Sequence, residues 1–161
     1  MTPEEIADRI ALDDLMTRYV DAIDTKNWDL LDTVFTPDAI LDYSTSGGPD
    51  AKGPYPQIKE WLQGALAIFS LTQHMIGKSA VELNGDTAQC RTIFHNPMIL
   101  PVDETGRYNP EGMGQSVFVV GGWYMDTCKK TPDGWRIVHK YEQQAFMSGD
   151  FPEGFAVPET E

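Results

Sequence analysis

The sequence predicts an α+β fold in which a curved, mixed or largely antiparallel sheet wraps as a cone around N-terminal helices. Apolar residues recur at helical spacing up to Phe69, whereas β-branched and aromatic runs separated by turn signals follow from Leu71 onward. The 161 residues fit one domain of roughly 100–200 residues, and 41% hydrophobic residues suffice for one core. We therefore expect a single domain, 1–161, with a core at about 5–146 and a loosely ordered tail at 150–161.

The first predicted element is a long amphipathic helix. Thr2 can cap it, Pro3 fits the first helical position, and Glu5 completes a capping box. Apolar side chains fall on one broad arc at about 100° per residue, which extends the helix to about residue 24. These side chains are Ile6, Ile10, Met16, Val20 and Ile23.

Shorter elements follow this helix. A second helix is predicted from Trp28 to Phe35 with Asn27 as its cap, and a strand from Ala39 to Tyr43. The density of Ser, Gly and Pro predicts a loop at 44–56, and renewed helical spacing predicts a third helix at 57–69.

Long antiparallel strands complete the predicted fold, at 71–83, 86–99, 116–130 and 135–146. Asn84-Gly85 is typical of a two-residue hairpin turn, and the segment from Thr131 to Gly134 is typical of a type I turn with glycine in the left-handed position. A polar loop is expected at 101–115. A cone built in this way leaves a pocket on its concave side.

The charge balance excludes some classes of partner. Twelve basic residues against 25 acidic ones give a net charge of −13, and no basic stripe is present to neutralise phosphates. We therefore expect neither nucleic acid nor an anionic membrane as a partner. The chain has no apolar run of about 18 residues and begins with an acidic segment, unlike a signal peptide, so we expect it in the cytoplasm.

No metal or organic cofactor is predicted. Cys90 and Cys128 lie in no metal-binding spacing and are expected to be buried free thiols. The chain contains neither an HExxH motif nor the glycine-rich motifs that hold dinucleotides and phosphates.

Asp24 is the first candidate for a catalytic residue. It lies 18 residues after Ile6, which at about 100° per residue is five whole turns, so its carboxylate points in the direction of the apolar face. A carboxylate that faces the interior needs a partner. The alternative is that the helix has ended and Asp24 caps the next one.

Two histidines are expected to face each other across a hairpin. If Asn84-Gly85 forms the turn, His74 lies opposite His95, close enough for both to act on one ligand. The same register opposes Lys78 and Arg91, so a β-bulge near Gly77 is an alternative. The bulge would place Asn96 or Phe94 opposite His74 in place of His95. His139 is expected near Thr127, at the open rim of the last hairpin.

Tyr19 and Tyr43 are further candidates. Tyrosines in such positions are commonly core residues, yet a tyrosine beside a cavity can donate its hydroxyl to an oxygen of the ligand.

Three segments together resemble a known family. They are Ala22-Ile23-Asp24-Thr25-Lys26-Asn27-Trp28-Asp29, Leu41-Asp42-Tyr43 and Thr72-Gln73-His74-Met75-Ile76-Gly77. They are similar to the scytalone dehydratase branch of the SnoaL-like, NTF2-like superfamily over roughly residues 5 to 146. The resemblance implies an α+β cone with an Asp/His dyad at Asp24 and His74, a water-holding tyrosine at Tyr43 and a second histidine at His95.

The resemblance also implies an activity. It predicts a cofactor-independent dehydratase that eliminates water from a small apolar, cyclic or polyketide-like or steroid-like hydroxy-carbonyl compound. Ile23 replaces a family tyrosine, and Gly122 and Tyr124 lie near the positions of a family serine and asparagine, so scytalone itself is not the expected substrate. Tyr19 resembles the placement of a tyrosine in bile-acid dehydratases, and a dehydrochlorinase of the superfamily uses a comparable dyad.

Alternatives to dehydration remain at this point. One is a ketosteroid isomerase-like proton shuttle, and the other is a non-catalytic binding or assembly domain of the same fold. The resemblance further implies a homotrimer, or otherwise a homodimer.

Overall fold

The structure is a computed structural model that describes residues 1–155, and it has the predicted α+β architecture. The helices are α1 (Pro3–Asp24), α2 (Trp28–Leu31), α3 (Ser44–Gly47) and α4 (Tyr55–Leu66). The strands are β1 (Phe35–Asp42), β2 (Lys52–Pro54), β3 (Leu71–Thr72), β4 (Met75–Ile76), β5 (Ala80–Asn84), β6 (Thr87–Val102), β7 (Gly114–Thr131) and β8 (Gly134–Ser148). Part of the predicted loose tail, 156–161, lies outside the described residues.

The strands form one mixed sheet. Its order is β2-β1-β8-β7-β6-β3, and β4 and β5 also pair with β6. β1 runs parallel to β8, whereas the neighbouring pairs in the sheet are antiparallel. β6 and β7 pair from Thr87↔Lys129 to Val102↔Gly114 without a register shift, so this long hairpin is the main structural unit of the sheet.

Extra residues bend β8 at two places. Its pairing with β7 shifts register between Gly121 and Gly122 and again between Thr127 and Cys128. Such bulges increase local twist and curvature, which lets the sheet wrap around the helices. Gly122 is required here, because a Cβ at this position would lie 2.1 Å from the backbone oxygen of Gln143.

Helix α1 begins and ends as predicted. The capping box between Thr2 and Glu5 is present, and Asn27 caps the following helix by accepting from the backbone N–H of Leu30 at 3.0 Å. The prediction that Ile6 and Ile10 face the core is wrong, since they are 45% and 58% exposed. Only the later turns of α1 pack against the sheet, through Leu12, Leu15, Met16, Tyr19, Val20, Ala22 and Ile23.

Several boundaries differ from the prediction. The second helix ends at Leu31, because Phe35 already pairs with Ile137 as the start of β1. The predicted loop 44–56 contains α3 and β2, and the predicted strand 71–83 is divided into β3, β4 and β5. Cys90 and Cys128 are buried free thiols, as expected. Within residues 1–155, none of the helices combines the length and the apolar character needed to cross a membrane.

Candidate active site

The centre of the site is a hydrogen-bonded pair between the end of α1 and the connection from β3 to β4. Asp24 Oδ1 lies 2.6 Å from His74 Nδ1, and the backbone N–H of His74 donates to Asp24 Oδ2 at 2.7 Å. The hydroxyl of Thr72 donates to Asp24 Oδ1 at 2.8 Å. Asp24 therefore faces inward, and the alternative role as a cap is not adopted.

These contacts fix the ionisation state of Asp24. Partial burial alone would raise the pKa of the carboxyl, but the hydrogen bonds and charge of His74 and the hydroxyl of Thr72 outweigh it and lower the pKa. Asp24 is therefore ionised near neutral pH. An ionised acceptor on Nδ1 selects the tautomer that carries its proton there. The other ring nitrogen, Nε2, is left as a proton acceptor, and within residues 1–155 no hydrogen bond occupies it.

The ring of His74 is buried and lies near two aromatic side chains. Its side chain is 3% exposed, and its ring centroid lies 6.4 Å from that of Phe94 and 6.2 Å from that of Tyr124. Phe94 and Tyr124 stack on each other at 4.2 Å. A base in this setting is shielded from bulk water and meets an apolar, flat surface, which suits a cyclic substrate.

The predicted opposition of His74 and His95 is wrong. The hairpin turn is Gly85-Asp86, with Asn84 paired to Thr87, and the register shifts by one residue between β5 and β4. His95 pairs with Met75 and, like it, is exposed on the outer face of the sheet. The alternative with a bulge near Gly77 predicts Asn96 or Phe94 opposite His74. The register continued from Met75↔His95 confirms Asn96 in this position.

Asn96 is a polar side chain on the inner face. It is 6% exposed, and its side-chain oxygen Oδ1 has no hydrogen-bond partner among the described residues. A buried oxygen without a donor is costly unless a ligand or water supplies one. Asn96 therefore marks a position where a hydroxyl or amine of a ligand can bind.

Both predicted tyrosines lie in the interior and bond to each other. The hydroxyls of Tyr19 and Tyr43 are 2.9 Å apart, and Tyr124 packs edge-on against Tyr19 at 5.2 Å. Burial first, and a neighbouring tyrosine second, raise the pKa of Tyr19 and of Tyr43 far above the ordinary value. These phenols therefore stay protonated and serve as hydrogen-bond donors.

A carboxylate–ammonium pair lies beside the tyrosines. Lys140 Nζ lies 3.0 Å and 3.1 Å from the two carboxylate oxygens of Asp126, and both side chains are 0% exposed. The ammonium lies 4.0 Å from the ring centroids of Tyr19 and of Tyr124. Burial lowers the pKa of Lys140 and raises that of Asp126, and their mutual attraction opposes both changes.

Glu142 is the remaining ionisable group on the inner face. It pairs with Tyr124 in the sheet and is 7% exposed, and the hydroxyl of Ser46 donates to its Oε1. Burial raises the pKa of Glu142 despite the hydrogen bond from Ser46 and the charges of Lys140 and His74. The interior therefore holds a carboxyl that keeps its proton to a higher pH than an exposed glutamate does.

The outer face of the sheet is different in character. A recess of about 450 Å³ is lined there by Met75, Ile93, His95, Trp123 and Phe146, among others. His95 packs against Phe146, with ring centroids 6.2 Å apart. The recess lies on the opposite side of the sheet from the dyad, so His95 cannot share a substrate with His74. His139 pairs with Thr127 and is exposed at the rim, as predicted.

Sequence reasoning missed Tyr124, Lys140 and Glu142 as members of the site. Strict alternation from Ile137 would turn Lys140 and Glu142 outward, but Val138 is an extra residue that reverses the two faces. Two residues of opposite charge at positions two apart in the last strand, Lys140 and Glu142, were the available signal. Within residues 1–155, no group of three His, Cys, Asp or Glu side chains is arranged to hold a metal ion.

The comparisons with known proteins agree with this fold. The profile of the SnoaL-like domain matches residues 4–141. An uncharacterized protein of Mycobacterium tuberculosis is 43% identical over 143 residues, which are 89% of this chain and 89% of that protein.

Two solved structures share the architecture at lower identity. A candidate scytalone dehydratase of Novosphingobium aromaticivorans has a TM-score of 0.74 at 18% identity, with 98% of this chain and 100% of that chain covered. A hexachlorocyclohexane dehydrochlorinase has a TM-score of 0.72 at 14% identity, with 97% of each chain covered. At these identities the likeness establishes the fold.

Proposed function

This chain belongs to the SnoaL-like domain family, and from that premise we propose that it is a cofactor-independent dehydratase. Its substrate would be a small apolar, cyclic hydroxy-carbonyl compound. The observation that carries the proposal is the Asp24–His74 pair, which leaves one imidazole nitrogen free beside an aromatic wall. The neighbours named for scytalone dehydration and for dehydrochlorination support an elimination, since both names describe removal of a small molecule from a ring.

The first step is proton abstraction next to a carbonyl. His74 Nε2 takes the proton from carbon, and the electron pair of the C–H bond moves toward the carbonyl oxygen as an enolate. Asp24 holds Nδ1–H at 2.6 Å and stabilises the imidazolium that forms.

The enolate is stabilised by a neutral hydrogen-bond donor. The Tyr19–Tyr43 pair has two hydroxyl protons and one mutual hydrogen bond, so one proton remains for a ligand oxygen. A buried donor of this kind contributes about 2.7–4 kcal/mol to the transition state. The enolate then re-forms the carbonyl as the carbon–oxygen bond to the leaving hydroxyl breaks, which produces the alkene.

The test is mass spectrometry on cyclic β-hydroxy ketones and steroid hydroxy-enones incubated with the wild-type protein and with variants. The wild type is expected to remove one water from the substrate. His74→Ala should lower the rate of this reaction by a factor on the order of 10²–10⁴. His95→Ala and His139→Ala are matched controls that should retain it, because both side chains lie outside the interior. A product of unchanged mass would support the isomerase instead, and no conversion by wild type would contradict both enzymatic assignments.

Self-association is a second part of the proposal. Large apolar side chains are exposed on the outer face, including Met75 at 55%, Ile93 at 53% and Phe146 at 48%. A contiguous surface of this kind is typical of a protein–protein contact. We propose a homotrimer, with a homodimer as the alternative, and light scattering after size-exclusion chromatography measures the mass. A monomer of 18.0 kDa at micromolar concentration would contradict the assignment.

A further inference from the structure

We propose that Glu142 is the acid that protonates the departing hydroxyl group. The inference rests on the proposed dehydratase function and deepens it by assigning the group that completes the reaction. The free nitrogen of His74 accounts for removal of the carbon-bound proton. The leaving oxygen needs a separate proton at the moment its bond to carbon breaks, because hydroxide is a poor leaving group.

The position of Glu142 favours this role. It lies on the inner face of β8, directly across from Tyr124, whose ring contacts both His74 and Tyr19. The strand β1 runs beside β8, and the next position after Asp42↔Tyr141 places Tyr43 beside Glu142. Glu142 therefore lies between the base and the tyrosine pair, along the wall that a bound ring would cover.

The contacts of Glu142 leave one oxygen available. Ser46 donates to Oε1, and within residues 1–155 no hydrogen bond reaches Oε2. Lys140, two residues earlier on the same face, is already bonded through Nζ to both oxygens of Asp126. A carboxyl that is buried, lacks an ion-pair partner of its own and has one unoccupied oxygen is suited to carry a proton.

The proton and electron balance closes without another reactant. His74 gains the proton from carbon, and the C–H electron pair becomes the new carbon–carbon π bond. The carbon–oxygen bond breaks with its electron pair on oxygen, which takes the Glu142 proton and leaves as water. The imidazolium of His74 then returns a proton to the Glu142 carboxylate through that water, which restores both groups.

The test compares two leaving groups on one ring system. The probes are 3-hydroxy-1-tetralone and 3-fluoro-1-tetralone, which both give 1-naphthol after elimination and tautomerisation. Fluoride leaves without full protonation, so Glu142→Gln should slow loss of water by a factor on the order of 10²–10³ and loss of fluoride by less than about tenfold. Gln preserves the acceptor for Ser46, and Asp42→Asn is the matched control, since this buried carboxylate is paired with Lys52.

The outcomes separate the two proposals. Equal slowing of both probes by Glu142→Gln, or the same selectivity in Asp42→Asn, would overturn the role of Glu142 and leave the dehydratase intact. If neither the wild type nor His74→Ala converts either probe, both the dehydratase function and the acid role of Glu142 are contradicted. Infrared difference spectra give a second readout: wild type at pH 7 should show a protonated carboxyl band that Glu142→Gln lacks, and its absence would overturn the proposal.

Discussion

Two carboxylates inside the same cone are each paired with a basic side chain, and the two pairs differ in what surrounds them. Asp126–Lys140 is sealed, with both side chains 0% exposed and the ammonium between two tyrosine rings. Asp24–His74 lies at the end of a helix, with 21% of the Asp24 side chain exposed and Nε2 unoccupied. The sealed pair can only hold its neighbours in place, whereas the open pair can exchange a proton with a ligand.

The burial of a pair therefore separates structural from chemical roles. Removal of one partner from a sealed pair leaves a charge that water cannot reach. Removal of His74 from the open pair leaves the Asp24 carboxylate, which solvent can reach because 21% of its side chain is exposed. Removal of one partner should thus reduce mainly the stability at Asp126–Lys140 and mainly the activity at Asp24–His74.

The largest effect on stability is expected at the sealed pair. Lys140→Met leaves Asp126 buried without its cation and should lower the free energy of unfolding by about 3–5 kcal/mol. Urea denaturation followed by circular dichroism measures it. The double variant Asp126→Leu with Lys140→Met removes both charges and should recover most of the loss. A double variant as unstable as the single one would show that the pair itself contributes net stability.

A smaller effect on stability is expected at the open pair. Asp24→Asn weakens hydrogen bonds from Thr72 and His74 but leaves no charge in a sealed space, so the loss should be about 1–2 kcal/mol. Activity should fall by a factor on the order of 10²–10⁴, because the imidazolium loses its counter-charge. Wild-type activity in a folded Asp24→Asn protein would remove the distinction between the two pairs.

The pH dependence of stability sharpens this comparison. The folded protein lowers the pKa of Asp24 below its unfolded value of about 3.9, so its contribution is complete above that pH. The contribution is lost as the pH falls through the folded pKa. The stability difference between wild type and Asp24→Asn should therefore shrink as the pH falls below about 4. A difference that stays unchanged on acidification below about 4 would contradict the assignment.

The helix periodicity predicts the inward direction of Asp24, whereas its pairing with His74 is implied only by the family resemblance. The step of about 100° per residue sets this direction, although Ile6, the reference residue, is exposed and the inward turns begin at Leu12. The α+β class and the long strands are likewise confirmed, since hydrophobic spacing and turn residues determine them locally.

Bulges explain what the sequence did not predict. The turn lies one residue later than predicted, which by itself would place Pro97 opposite His74, and one extra residue between β4 and β5 brings Asn96 there instead. Val138 likewise turns Lys140 and Glu142 inward. A bulge reverses every side chain beyond it, while the sequence that causes it is short and variable. The wrong predictions therefore concern mainly the face of a strand on which a residue lies. The same property decides whether a residue belongs to the site.

The separation of Asp24 and His74 along the chain has a consequence for folding. They are 50 residues apart in the sequence, and each lies in a different part of the fold, one on α1 and one between the two-residue strands β3 and β4. The β6–β7 hairpin can form from neighbouring residues alone, but the dyad exists only after the helix docks on the sheet edge. We therefore expect a collapsed intermediate that contains the helix and the hairpin, but not their contact, to lack the Asp24–His74 hydrogen bond.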